Sequence, residues 1–282
     1  ELARSISYQR ANELMLASEL SFRVAELRST VGQARSRPPG NMLVIDGQGG
    51  TLTPGLIDMH AHMCIHNGLS FFRDPYDAQT VGAYTYQAGL DYLQQGFTTT
   101  RSAGCNDLGI AKAINNGVLA GPRWFPAGGF LSQTGGHADL GVWSDLPKEQ
   151  DALERAEMMY IVDGVTEARR AARSNFRRGA THIKIMGGGG VSSEFDPLHM
   201  TQFSPEEIEA IVGVAEDYDS YVTVHAYHDR SINRAIDAGV KMLEHGFLMS
   251  EATMDRMVEE GIVLNVQAQA SLETFGNVEA ID

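Results

Sequence analysis

Apolar positions along this chain follow two rhythms. Short runs rich in β-branched and other apolar residues, often alternating with polar ones, predict strands over Leu56–His60, Thr98–Ser102, Trp124–Ala127, His182–Met186, Tyr221–His225, Met242–His245 and Ile262–Val266. Between them, apolar residues three and four apart predict helices over Val81–Gln95, Asp151–Arg178, Pro205–Asp217, Ser231–Ala238 and Glu251–Glu260. Ser204-Pro205-Glu206-Glu207 has the chemistry of a helix start: a side-chain cap, a proline in the first turn and acids at the positive end of the dipole. Strands alternating with helices imply parallel strands joined by crossover helices. At this length the natural architecture is an α/β (β/α)8 barrel, whose chemistry gathers at the carboxyl ends of the strands. Seven strands are legible, and the chain stops soon after the seventh, so the expectation is a barrel truncated before its eighth strand.

The head of the chain reads differently. Leu16, Leu20, Val24, Leu27 and Val31 form a helical stripe, with Gly32 as its stop and residues 35–40 as a linker. The expected organisation is a helix-like head and linker over 1–40, a lead-in over 41–55 and the barrel over 56–282. Residues 1–40 carry +2 of a net charge of −14, leaving the remainder strongly acidic. That balance argues against nucleic acid or an anionic membrane as partner. No apolar run approaches the roughly 20 residues of a membrane helix. The chain begins at Glu1, so a cytoplasmic protein and one exported after leader removal are both open. Two cysteines, Cys64 and Cys105, make no disulfide framework and are expected as buried thiols.

The polar residues inside the strands carry the chemistry. Thr53-Pro54-Gly55-Leu56-Ile57-Asp58-Met59-His60-Ala61-His62 is a turn and an apolar strand ending in two histidines at i and i+2, hence on one face. Imidazole is a common ligand for zinc-like metals. Lys184 stands inside Thr181-His182-Ile183-Lys184-Ile185-Met186, where a buried amine tends to lose its charge. Carboxylated by carbon dioxide it would offer two anionic oxygens; otherwise it reaches out at the strand end. Gly187–Gly190 follow without the Gly-Lys-Ser/Thr of a phosphate loop, so they predict a mobile active-site loop. His225 ends one strand and His245 the next, so four strand ends bear potential ligands.

Together these stretches resemble the amidohydrolase superfamily, and within it the imidazolonepropionase-related, prolidase-like branch of Xaa-Pro dipeptidases, Lys/Arg carboxypeptidases and ochratoxin-hydrolysing amidases. The resemblance runs from about Val44 to about Gln267. It implies two divalent metal ions, zinc being the expected metal, with His60 and His62 on one, His225 and His245 on the other, and a Lys184 carbamate bridging them. Ser132-Gln133-Thr134-Gly135-Gly136-His137 resembles the branch's Thr-Gly-Gly-His element, which implies that His137 contacts the scissile group; the family more often has Gly where this chain has Ala138. Tyr227 resembles a tyrosine that hydrogen-bonds substrate or oxyanion. Arg230 is chosen from its chemistry alone, as a bidentate partner for a substrate carboxylate. His66, His182, His199 and His228 are expected to be structural or at the surface.

The implied activity is hydrolysis of an amide or peptide bond beside a C-terminal amino acid, in a dipeptide or N-acyl amino acid, by water activated between the metals. Relatives form homo-oligomers, which implies the same here. Two departures stand out: the superfamily's aspartate after the eighth strand has no counterpart in this reading, and the flanking β-sandwich is mostly lacking. The alternatives are cyclic-amide hydrolysis or deamination on the same scaffold, or a metal-binding subunit without complete catalysis.

Overall fold

The computed structural model describes residues 49–65, 77–141, 143–144, 150–193 and 195–267. The expected head helix and linker, most of the lead-in, His66 and any strand after residue 267 lie outside them. The chain divides into two units, Glu1–Gly55 and Leu56–Asp282, and the architecture below is that of the second.

Its described strands are β1 (Leu56–Ala61), β2 (Phe97–Ser102), β3 (Arg123–Phe125), β4 (Phe130–Ser132), β5 (Met159–Ile161), β6 (Ile183–Met186), β7 (Val222–His228), β8 (Met242–Leu248) and β9 (Val263–Asn265). The helices are α1 (Ala78–Gln94), α2 (Leu108–Asn115), α3 (Ala152–Arg155), α4 (Val165–Arg178), α5 (Pro205–Asp217), α6 (Asp229–Asp237) and α7 (Glu251–Glu260). Every strand pairing is parallel, in the orders β1-β2-β3 and β5-β4-β6-β7-β8-β9. Only residues 126–129 separate β3 from β4, and they continue the ladder. Cys105 N–H donates to the Gly128 carbonyl (2.8 Å) and Thr181 N–H to the Pro126 carbonyl (2.7 Å). The two sheets are thus successive stretches of one parallel array. It is an α/β fold with a parallel sheet, and the described residues show no pairing between β1 and β9.

Three expectations need correction. The single helix expected over Asp151–Arg178 is α3, β5 and α4. Glu157 at φ 57° and Gly164 at φ 87° break it, and the apolar run Met158–Val162 pairs with β4 instead. The third strand is interrupted at Gly128 and Gly129 and resumes as β4. Cys64 and Cys105 are joined by a disulfide, Cα–Cα 5.8 Å. The chain ends of β1 and β2 lie side by side, so two thiols 41 residues apart in sequence meet.

Helix starts follow the local chemistry. Ser204 and Glu207 form a reciprocal capping box at α5, as Asp151 and Glu154 do at α3. Ile183 and Ile185 of β6, Val222 and Val224 of β7 and Leu243 of β8 pack outward against Phe176, Ile208, Ile211 and Ile232 of the helices. Because successive strand side chains alternate faces, Lys184, Thr223, His225 and Glu244 must then point inward. Core packing thereby decides which residues meet inside the array. Among the described residues no helix is long and apolar enough to cross a membrane.

Candidate active site

The array curls so that β1 and β2 face β8 across its interior. The His60 Nδ1 atom lies 2.7 Å from Glu244 Oε2, and Arg101 of β2 bonds Glu244 Oε1. Thr223 of β7 donates to that same Oε1. Arg101 Nε also donates to the Met59 carbonyl at 2.8 Å, beside His60. Burial raises the Glu244 pKa, but the His60 hydrogen bond and the charges of Lys184 and Arg101 outweigh it and hold the carboxyl far below its usual range. Glu244 is therefore a carboxylate and accepts only.

That fixes the imidazoles. His60 must donate from Nδ1 to Glu244, and His62 must donate from Nδ1 to the Gly104 carbonyl at 3.1 Å. Burial above all lowers the pKa of His60 to about 4 and of His62 to about 3, with the Lys184 charge adding to both. Two neutral rings thus turn their Nε2 lone pairs on each other at 3.2 Å. Facing lone pairs repel unless a cation or proton lies between them, and this pair suits a cation.

The second pair is held otherwise. His225 Nε2 donates to the Gly189 carbonyl at 3.1 Å, leaving the Nδ1 lone pair for other use. His245 has φ 75°, the left-handed backbone that a non-glycine residue adopts at a cost of about 1–3 kcal/mol. Its ring stands 4.7 Å from that of His225 and 4.9 Å from that of His60. Burial, then the neighbouring histidine and Lys184 charges, keep both pKa values well below 6.5. Lys184 is 1% exposed. Burial lowers its pKa to about 8, with Glu244 opposing and Arg101 adding. The neutral amine, which is the form that adds carbon dioxide, is thereby brought closer to neutral pH. Among the described residues, no three His, Cys, Asp or Glu side chains already surround one point as an ion would require. The donors come as pairs, with Lys184 on the strand between.

His137 stacks on His225, ring centroids 4.1 Å apart and 13° from parallel. Its Nδ1 lies 2.8 Å from Asp196 Oδ2 and 2.7 Å from Ser193 Oγ. Serine and aspartate meet the same nitrogen, so this is no relay of the Ser-His-Asp kind, which needs opposite nitrogens. Tyr227 packs 4.9 Å from His225 and 5.4 Å from His245. Burial, helped by the Asp196 charge, raises its pKa to about 12. The Gly187–Gly190 stretch, expected as a mobile active-site loop, is packed. All four glycines are buried, Gly190 N–H donates to Asp196 Oδ2 at 2.7 Å, and a Cβ on Gly190 would lie 2.0 Å from the His137 ring.

The structure thus brings together His60, His62, Lys184, His225, His245, His137 and Tyr227. Arg230 stands exposed in the first turn of α6 and makes no hydrogen bond, ion pair or ring contact with them. His182 is fully buried, bonded to Thr181 at 3.0 Å and stacked on Tyr221. Sequence reasoning missed Glu244, Arg101, Asp196, Ser193 and Gly104. For Glu244 a signal existed: a charged residue inside an otherwise mostly apolar strand.

A model of the amidohydrolase family matches residues 51–276. The chain belongs to the amidohydrolase family. Ochratoxinase of Aspergillus niger is 36% identical over 245 residues, covering 79% of this chain and 49% of the relative. Among solved structures, a prolidase complexed with N-methylphosphonate-L-proline is 39% identical (TM-score 0.73; 81% of this chain, 57% of that one). A Xaa-Pro dipeptidase with methionine bound in its active site is 33% identical (TM-score 0.68; 78% and 54%). This amidohydrolase chain spans about half the length of the curated relatives it matches. Its family match starts just ahead of β1 and takes in every histidine and the lysine named above.

Proposed function

We propose that this chain carries the centre of a metal-dependent amidohydrolase that cleaves an amide or peptide bond beside a C-terminal amino acid, in a dipeptide or N-acyl amino acid. His60 and His62 would hold one divalent ion, His225 and His245 a second, and the Lys184 carbamate would join them. The carrying observation is the His60/His62 geometry: both Nδ1 protons are committed, and two lone pairs face each other at 3.2 Å. The prolidase, Xaa-Pro dipeptidase and ochratoxinase likenesses support the substrate class.

When bound, such ions polarise an amide carbonyl and bring a water's pKa towards neutrality. The chain's residues divide the rest of the work. With its pKa at about 12, Tyr227 keeps its phenolic proton and donates to the oxygen that gains charge. His137 donates a hydrogen bond from Nδ1 to Asp196, which leaves Nε2 for the substrate. It is then suited to take a proton and pass it to the leaving amine, and stabilises an oxyanion only after it has been protonated.

The test is metal content per chain by elemental analysis, followed by hydrolysis of Xaa-Pro dipeptides and N-acyl amino acids with zinc supplied. Two ions per chain, falling to one in Lys184→Ala, is the expected result. Two ions retained in Lys184→Ala would remove the bridging role, and none in the unmodified chain would sink the whole reading.

A further inference from the structure

Glu244 is fully buried and gathers donors from three other strands: His60 of β1, Arg101 of β2 and Thr223 of β7. Its two oxygens are not equivalent. Oε1 takes both Arg101 and Thr223, while Oε2, at 2.7 Å, is left to His60. Arg101 also donates to the Met59 carbonyl at 2.8 Å, so one guanidinium holds the backbone next to His60 and the carboxylate that grips its ring. A buried ion pair is weak evidence for stability, because apolar residues of the same volume often serve a fold as well or better. What apolar residues could not do is fix a tautomer.

We propose that Glu244 is a positioning residue: its carboxylate sets the ring orientation and Nδ1–H tautomer of His60, and so turns the His60/His62 pair into a cation site. The claim rests on the metal reading above and goes beyond it in naming the residue on which the first ion depends. Without the carboxylate, the His60 proton is free to move to Nε2, where it blocks the lone pair that faces His62. Nothing equivalent is required at His62, whose acceptor is a backbone carbonyl.

Unmodified protein is compared with Glu244→Gln and Thr223→Val. Zinc affinity is read by competition with a chromophoric chelator, and the His60 tautomer by nitrogen-15 NMR of the metal-free protein. In Glu244→Gln the first zinc is expected to bind about 10–100-fold more weakly, the usual cost of losing a partner behind a ligand histidine, with the His60 proton no longer held on Nδ1. Thr223→Val, which touches Oε1 alone, is expected to lower the melting temperature and leave zinc affinity unchanged. Unchanged affinity in Glu244→Gln overturns the proposal, as does an equal loss in Thr223→Val. If Glu244→Gln does not fold, the unmodified protein decides: Nδ1–H on His60 supports the proposal and Nε2–H refutes it. Unmodified protein that binds no zinc refutes the metal reading itself, whereas zinc held equally by Glu244→Gln refutes the role of Glu244 alone.

Discussion

The two histidine pairs hold their rings by different means. His60 and His62 are aimed by hydrogen-bond acceptors behind each Nδ1, a carboxylate and a carbonyl, on unstrained backbone. His225 leans on a carbonyl too, but His245 is aimed by a left-handed backbone, with Gly246 beside it at φ 70°. An acceptor fixes a ring's tautomer as well as its direction; strained backbone fixes direction alone. The first pair is thus the better prepared for an ion, and zinc titration of the metal-free protein should fill it first.

The largest effect that would break this contrast comes from the disulfide. Cys64 lies two residues after His62, and Cys105 follows Gly104, whose carbonyl orients His62. Opening a bridge across 41 residues is expected to cost about 4 kcal/mol by loop closure. Cys64→Ala with Cys105→Ala should show that loss in denaturant unfolding, with zinc at the first pair weakened and the second pair unaffected. Equal weakening of both pairs would mean that the bridge supports the array as a whole.

A pH study of either pair has to be separated from the other buried groups that titrate, and Asp107 is one of them. Burial raises its pKa from 3.8 to about 6, although Trp124 Nε1 donates to it at 3.0 Å. At Asp107 the folded protein therefore holds the proton more tightly than the unfolded chain, so this residue's contribution to stability falls as pH rises from about 4 to about 6, against the opposite contribution of the buried histidines, whose pKa values lie below 6.5. The loss is about 3 kcal/mol. Asp107→Asn should remove that opposing contribution, so unfolding free energies should rise more steeply with pH across the window than in the unmodified protein. A slope identical to that of the unmodified protein would mean that Asp107 does not contribute.

The second pair is tested by Gly190→Ala. The new Cβ would meet His137, a ring pinned by Asp196 and stacked on His225. Overpacking of this kind costs about 1–3 kcal/mol. Thermal unfolding should show it, and zinc should weaken at His225/His245 and hold at His60/His62. A weakening confined to the first pair would contradict the separation drawn here.

How much of this the sequence discloses depends on range. The placement of His60, Lys184, His225 and His245 was legible because each sits in a strand with apolar neighbours, where alternation assigns a face, and His62 follows β1 directly. α5 and α7 were legible to the residue, since Ser204, Ser250 and Gly261 mark their ends in the local chemistry. The partners were not legible. Glu244 stands 184 residues from His60 and Asp196 59 from His137, and no local pattern couples them. The disulfide was missed for the same reason. β5 was missed because the apolar run Met158–Val162 sits between helical patterns, and Gly164 was the break to read.

The smallest effect is expected at Ala138. Ala138 has φ 74°, as strained as His245, yet it aims no ligand. Left-handed backbone costs an alanine about 1–2 kcal/mol. Ala138→Gly would relieve that strain, but glycine makes the unfolded chain more flexible, at about 0.4–1 kcal/mol. It also forfeits a methyl buried in the cluster that includes Cys64, Cys105 and Phe130, worth about 0.8 kcal/mol. The three contributions nearly cancel, so denaturant unfolding should place Ala138→Gly within about 0.5 kcal/mol of the unmodified protein. A gain well above that would show that the methyl packs poorly and that the strain beside His137 is left uncompensated. A comparable loss would show that packing near the disulfide outweighs backbone preference, and would explain how alanine is accommodated at a position suited to glycine.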